Sequence, residues 1–463
     1  MAPAGNAYDE ARAGQMWWPK YKMQVVVAAL AVLIVGGGGA IYWATRIPAS
    51  PFDRTAAASS TDLPGRGEYV ARQADCVACH TVEHGAPFTG GLAMGTPLGA
   101  IYSTNITPDP ETGIGTYTLA EFDNAVRRGV ARDGHRLYPA MPYPSYAKMS
   151  DEDIQALYAF FMKDVKATRH ENRPSDIPWP LNMRWPLAFW NIPFVDPHPF
   201  QPDLARDERW NRGAYLVQGA GHCGSCHTPR GLAMQEKALD QSSDSYLSGA
   251  LLDGWYAPSL RDDPNTGLGR WTEADIASYL RTGRNRHGVV FGSMLEAFNN
   301  STQFLSDEDL GAIAYYLKSL PGDPKRDGTP WRYQATGASS RAPSDGEKIY
   351  AARCGFCHGT DGLGRGPWIS PLAGATSLLA KQDASAINIA LNGSGRVVHD
   401  GQPDSYRMPP FRKLLDDREI ADVLTYVRSA WGNTGSRVEP SDVSRLREST
   451  NPSSPDVLIL QMR

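Results

Sequence analysis

The chain has 463 residues, with 46 Lys plus Arg against 50 Asp plus Glu, a formal net charge of -4 and a charged fraction of 21%. That balance speaks against nucleic-acid binding, which needs an excess of Lys and Arg gathered on one surface, and 41% hydrophobic residues exclude disorder along the whole chain. The length predicts about three domains, and 45 Gly with 35 Pro predict long irregular connections.

Residues 1–22 read as an N-terminal tail and residues 23–45 as a transmembrane helix. No charged residue occurs between Lys22 and Arg46, and Met23 to Trp43 is rich in Val, Ala, Leu and Ile. As a helix that run is about 31 Å long, which matches a hydrocarbon core of about 30 Å. Trp17, Trp18 and Tyr21 precede it and Tyr42 and Trp43 close it, where amphipathic rings favour the headgroup level. It is longer than the apolar stretch of a signal peptide and has no clear small-x-small cleavage site, so a retained anchor is expected. Gly36 to Gly39 is tolerable in a lipid-facing helix, where no water competes for the backbone. Lys20 and Lys22 on one flank balance Arg46 and Arg54 on the other, so charge alone leaves the orientation open.

Residues 46–62, rich in Pro, Ala, Ser and Thr, read as a linker. Three domains then follow at 63–172, 204–320 and 343–434, joined by a Pro- and Trp-rich connection at 173–203 and a second at 321–342, with a tail at 435–463. Each opens on a Gly and an aromatic residue ahead of a Cys pair: Gly67 and Tyr69, Gly213 and Tyr215, Gly346 and Tyr350. Each closes on an amphipathic helix, in which Ile154, Leu157 and Phe161 correspond to Leu310, Ile313 and Leu317 and to Ile420, Val423 and Val427. Ser150 with Asp153 and Ser306 with Asp309 have the pattern of helix N-caps. Pro110, Thr112, Gly113 and Gly115 recur as Pro264, Thr266, Gly267 and Gly269, the mark of a duplication. No alternating strand pattern runs through these units. The connection holding Pro178, Trp179, Trp185 and Trp190 is too apolar for a free tether and is expected to pack over a neighbouring domain.

All six Cys fall in three pairs of one spacing, each trailed by His: Cys76, Cys79 and His80; Cys223, Cys226 and His227; Cys354, Cys357 and His358. This is the attachment spacing of haem c. Residues three apart share one helix face, so both thiols reach the vinyl groups of one porphyrin while the next imidazole reaches iron. A tetrahedral zinc site takes two such pairs and would leave the third unmatched. A thioredoxin-like site would not recur three times, and a disulfide leaves the trailing His unexplained. Three covalent haem c groups are therefore expected, serving as cores for domains whose long loops bury little apolar surface.

The second axial ligand is expected from the loop before each closing helix. Met141 in Tyr138-Pro139-Ala140-Met141-Pro142 and Met408 in Arg407-Met408-Pro409-Pro410 are held extended by the following proline, and Met294 in Gly292-Ser293-Met294-Leu295 lacks it. Core filling is the alternative for any Met, and bis-His ligation through His135, His287 or His399 is the rival. His/Met ligation raises the potential and closes the iron to oxygen chemistry, leaving electron transfer. No Gly-rich nucleotide fingerprint, G-x-S-x-G or H-E-x-x-H occurs, so no catalytic residues are expected on this chain.

The runs Gly90-Gly91-Leu92-Ala93-Met94-Gly95-Thr96-Pro97-Leu98-Gly99 and Ile101-Tyr102-Ser103-Thr104-Asn105-Ile106-Thr107-Pro108-Asp109, with Thr112-Gly113-Ile114-Gly115, resemble the three-haem cytochrome c subunit of membrane-bound alcohol, aldehyde, gluconate and polyol dehydrogenases of acetic acid bacteria. The similarity covers about residues 60 to 435. It fits an all-α fold of three tandem cytochrome c-like domains with long loops; the N-terminal transmembrane helix ahead of them is a departure, since several members resemble secreted, signal-cleaved proteins. It also implies a catalytic dehydrogenase subunit as partner, carrying pyrroloquinoline quinone, flavin, or molybdenum with iron-sulfur clusters, and ubiquinone as electron acceptor. Resemblance to bacterial c-type cytochromes implies that the bulk lies on the periplasmic side of the inner membrane and that residues 1–22 form a cytoplasmic tail. The retained anchor favours the aldehyde dehydrogenase cytochrome, with the quinoprotein alcohol dehydrogenase and the flavoprotein gluconate or polyol dehydrogenases as alternatives. A haem peroxidase, which needs a five-coordinate iron, and a terminal-oxidase cytochrome are the more remote readings.

Overall fold

The computed structural model describes residues 18–47, 49–53, 63–252, 254–335 and 342–452. The tail at 1–17, the linker at 54–62, residues 336–341 and the apolar run from Val457 to Leu460 lie outside the described residues.

Each of the three units is built on one helix crossing. The opening helices Leu63–Gln73, Glu208–Gln218 and Asp345–Arg353 pack on the closing helices Asp151–Lys163, Asp307–Lys318 and Asp417–Ser429. The crossing point is a glycine every time. A Cβ on Gly67 would lie 2.0 Å from the Ala156 carbonyl oxygen, one on Gly213 2.1 Å from that of Ala312, and one on Gly346 2.1 Å from that of Asp422. No other residue lets the two backbones approach so closely, which is why the Gly recurs. The closing helices start at Ser150, Ser306 and Asp416, whose side chains accept from the amides of Asp153, Asp309 and Glu419.

Helices dominate, and the loops add four two-stranded antiparallel hairpins among the described residues, the longest pairing Ala93–Thr96 with Gly99–Tyr102. The strands are two to four residues long, too short for a period-two pattern to show in the sequence. Each unit keeps its own apolar core: Ile154, Leu157 and Phe161 in the first, Leu310, Ile313 and Leu317 in the second, Ile420, Val423 and Val427 in the third. A small fourth cluster joins Val290, Leu295 and Phe298 of the second unit to Val397 of the third. The tail contributes a helix, Pro440–Ser449, whose Val443 and Leu446 complete the third core.

The first two units meet through a contact that each makes in the same way. The Tyr69 hydroxyl donates to Asp309 at 2.7 Å and accepts from the Ser306 amide at 3.0 Å. Reciprocally, the Tyr215 hydroxyl donates to Asp153 and accepts from the Ser150 amide at 3.1 Å. Arg66 and Arg212 pair with Asp153 and Asp309, each at 2.7 Å. This is the self-complementary geometry of a two-fold dimer, made here within one chain. The third unit carries Lys348 where the others have Tyr, and it attaches by other bonds, including Tyr256 amide to Ser385 Oγ at 2.8 Å and Asn388 Nδ2 to the Gly254 carbonyl at 3.0 Å.

At the N-terminal end the Trp18–Thr45 helix has 28 residues, about 42 Å at about 1.5 Å per residue. Among the described residues no helix is long and apolar enough to cross a membrane; in this one, residues 23–32, 35–39 and 41–42 are exposed and Thr45 is half-buried. The connection after the first unit forms a helix, Leu187–Phe194, that packs beside it. Trp190 Nε1 reaches the Ala233 carbonyl of the second unit at 2.8 Å, and Asn191 accepts from the Tyr143 hydroxyl of the first at 2.7 Å.

Two outcomes test this packing. Gly213→Ala, which would stabilise an exposed helix, is expected to cost about 1–3 kcal/mol by overpacking, read as a lower denaturation midpoint of the haem-loaded chain; an unchanged or raised midpoint contradicts the close crossing. Burial raises the Asp309 carboxyl, but hydrogen bonds from Arg212, Tyr69 and Gln73 outweigh it and hold it below the usual carboxylate range. Its contribution is therefore present above the ordinary Asp value of about 3.9 and lost as pH falls through the depressed folded value. The stability gap between the wild type and Asp309→Asn is expected to be full at neutral pH and to close in acid; a gap independent of pH contradicts this.

Candidate haem sites

Each Cys pair lies on a single turn of helix. Cys76–Cys79 is such a turn, and Cys223 and Cys354 stand at the head of the turns Gly224–His227 and Gly355–His358. All six thiols are free. Burial pushes the thiols of Cys76, Cys79 and Cys223 up to about 12 and that of Cys354 up to about 11. A thiol that exchanges disulfides needs the opposite shift, so redox exchange does not fit these pairs. Among the described residues no group of three or more His, Cys, Asp or Glu is placed to hold a metal ion by itself.

The three imidazoles share one arrangement. His80 Nδ1 lies 2.7 Å from the Thr104 carbonyl, His227 Nδ1 2.7 Å from that of Pro258, and His358 Nδ1 3.0 Å from that of Ser370. A carbonyl can only accept, so Nδ1 carries the proton in each ring and Nε2 is left with its lone pair. Burial lowers the basicity of all three and keeps them neutral. A neutral imidazole fixed through Nδ1, one residue after a pair of thiols on a helical turn, is the proximal ligand geometry of a covalent haem. The surroundings also fit the polar edge of a porphyrin: Tyr138 Oη near Met141, Ser293 Oγ beside Met294 and Nε1 of Trp331, which packs from the preceding connection onto the third core, are buried without a partner.

The candidate distal residues divide. Met141 packs against the same core as Cys76, and Met408 against the same core as Cys354. Met294 does not share a core with Cys223. It heads the Met294–Asn300 helix, packs in the small cluster between the second and third units, and its helix lies beside the Cys76–Cys79 turn. The rival histidines have other contacts: His135 is exposed and paired with Asp133, His287 stacks on Trp271 at 5.0 Å, and His399 stacks on Phe298 at 6.4 Å.

The three attachment turns differ in cover. In the first two units Cys79 lies within electrostatic reach of Cys226, whereas in the third Cys357 is exposed and Phe356 beside it is 82% exposed.

The profile of the cytochrome c family matches residues 65–164, 211–321 and 343–431. The chain belongs to the cytochrome c family. Full-length relatives narrow its place within that family. It is 47% identical to the cytochrome c subunit of alcohol dehydrogenase (quinone) of Gluconacetobacter polyoxogenes, over 85% of this chain and 86% of the relative. It is 48% identical to the gluconate 2-dehydrogenase cytochrome c subunit of Pantoea cypripedii, over 83% and 90% of the two chains. It is 37% identical to the fructose dehydrogenase cytochrome subunit of Gluconobacter japonicus, over 87% and 86%. It is thus a member of the dehydrogenase cytochrome c subunits, an electron-transfer chain and not a catalytic one.

The three carbonyls that fix the imidazoles went unread in the sequence, although a signal for two of them was there. Thr104 stands six residues before Pro110 and Pro258 six before Pro264, so the duplication already placed them in register.

Replacing Met141, Met294 and Met408 by Leu one at a time is expected to remove one third of the axial sulfur-to-iron absorption each and to lower one of three potentials. Retention of the full band in any variant removes that Met from the ligand set.

Proposed function

We propose that this chain is the electron-transfer subunit of a membrane-bound periplasmic dehydrogenase, carrying electrons from a catalytic subunit to ubiquinone in the inner membrane. The observation that carries this reading is the set of three neutral imidazoles held through Nδ1 by Thr104, Pro258 and Ser370 beside three Cys pairs. Cys76, Cys79 and His80, Cys223, Cys226 and His227, and Cys354, Cys357 and His358 would each hold one haem c, with Met141, Met294 and Met408 as distal ligands. Haem so held supplies reversible one-electron chemistry. The protein's part is to fix each imidazole, exclude water with the three apolar cores and keep the units at set separations. The shared Tyr69–Asp309 and Tyr215–Asp153 contacts hold the first two units together. The exposed Phe356 and Cys357 leave the third unit open to a protein partner.

The membrane location is supported by the Trp18–Thr45 helix, its exposed Val25, Val26, Val27, Leu30 and Val32, and the lack of charge between Lys22 and Arg46. Spanning the bilayer once, it would keep the chain beside a lipid-soluble acceptor. The relatives are named for alcohol, gluconate and fructose dehydrogenases, which favours an alcohol or sugar-acid dehydrogenase carrying pyrroloquinoline quinone or flavin. The aldehyde dehydrogenase reading, with a molybdenum and iron-sulfur partner, rests on the N-terminal helix.

Purified from membranes, the intact assembly is expected to reduce a ubiquinone analogue with its substrate. Stripping this chain should abolish quinone reduction while the catalytic subunit still reduces an artificial dye. Undiminished quinone reduction without the chain contradicts the proposal, and the largest co-purifying subunit with its cofactor separates alcohol, sugar-acid and aldehyde partners.

A further inference from the structure

The connection between the first two units has an apolar outer face that is exposed among the described residues. On the Leu187–Phe194 helix the inward positions are committed: Ala188 is buried and Asn191 bonds to Tyr143 and to the Arg128 carbonyl. The outward positions are not polar. Phe189 and Ile192 share one side of the helix, and Trp185, just before it, packs edge-on against Phe189 at 6.1 Å; they are 38%, 50% and 47% exposed. Trp190 ties this helix to the loop carrying Leu232 and Met234, which are also exposed. A helix apolar on both sides, in contact with solvent on one, needs a second apolar phase.

Its position says which phase. The helix packs beside Trp18–Thr45, and the end of that helix is tied to the same region: Arg136 Nη2 donates to the Arg46 carbonyl at 3.1 Å, and Arg184 Nη1 to the Arg136 carbonyl at 3.2 Å. The apolar face therefore begins where the N-terminal helix ends. It carries large rings of the kind that settle at the headgroup level, and the exposed Arg46 cation stands at its border, matched to anionic headgroups.

We propose that the face formed by Trp185, Phe189 and Ile192 with Leu232 and Met234 is a second membrane contact, lying in the bilayer interface beside the N-terminal helix. The proposal rests on the reading of Trp18–Thr45 as an anchor. With both contacts made, the first two units sit on the membrane surface at a fixed orientation, where a single helix would leave them free to swing.

If the six Cys are consumed by haem attachment, an introduced thiol is the one free label site. Ile192→Cys, Val32→Cys and Leu414→Cys, the last in the third unit, are labelled with an environment-sensitive fluorophore. Each full haem-loaded chain is reconstituted into phosphatidylethanolamine–phosphatidylglycerol vesicles with brominated acyl chains, and the absorption of the three haems checks that the variants are folded. The label at 192 is expected to lose most of its fluorescence with bromines near the headgroup end, the label at 32 with bromines near the chain terminus, and the label at 414 to stay open to aqueous iodide. Quenching at 32 without quenching at 192 overturns this inference and leaves the anchor standing. Quenching at 192 without quenching at 32 supports the interfacial contact and removes the anchor. Protection of 192 from both iodide and bromines means that protein covers the face and overturns the assignment, as does equal lipid quenching at 414.

Discussion

The constraint on which the rest depends is a single hydrogen bond made three times, from a histidine Nδ1 to a backbone carbonyl. It decides which nitrogen is left for a metal, it fixes the plane of the ring, and it joins two distant parts of each unit. His80 is held from Thr104, His227 from Pro258 and His358 from Ser370. In the third unit the bond reaches further, because Ser370 also accepts the Val289 amide of the second unit through Oγ at 3.0 Å. The imidazole of one unit and the junction with its neighbour thus share one residue.

Around that bond the molecule repeats itself, and then departs from the repeat. The glycine crossings are the same in all three units, since they answer a backbone distance that a side chain cannot meet. The reciprocal Tyr–Asp contact unites the first two only. With Lys348 in place of the tyrosine, the third unit cannot add a further copy of that contact, and a heterologous interface takes over. The outcome is a symmetric pair whose attachment turns lie within electrostatic reach of each other and a third unit whose attachment turn is open to the outside. For an electron-transfer chain, such asymmetry distinguishes an inner pair from an outer port.

Much of this was legible in the sequence because it depends on short spacings. The Cys-x-x-Cys-His turns, the capping Ser150 and Ser306 and the recurring glycines each act within a helical turn, so their pattern survives in one dimension. The hairpins escaped because two to four residues carry no period. The Pro440–Ser449 helix escaped because its apolar contact rests on Val443 and Leu446, one turn of signal. The Met294 surroundings could not be read at all: like Met141 and Met408 it precedes a closing helix, but its neighbours, Phe298 and Val397, come together only when the second and third units dock. The same holds for Tyr69 and Tyr215, which read as ordinary aromatic positions until their partners Asp309 and Asp153 arrive from another unit.

The central claim is that three imidazoles are presented to three covalently held porphyrins. A pyridine haemochrome assay on the purified chain, combined with its intact mass, tests this directly. The account predicts three haem c groups for each polypeptide, resistant to acid–acetone extraction. Two groups, one, or haem that extracts freely would contradict it.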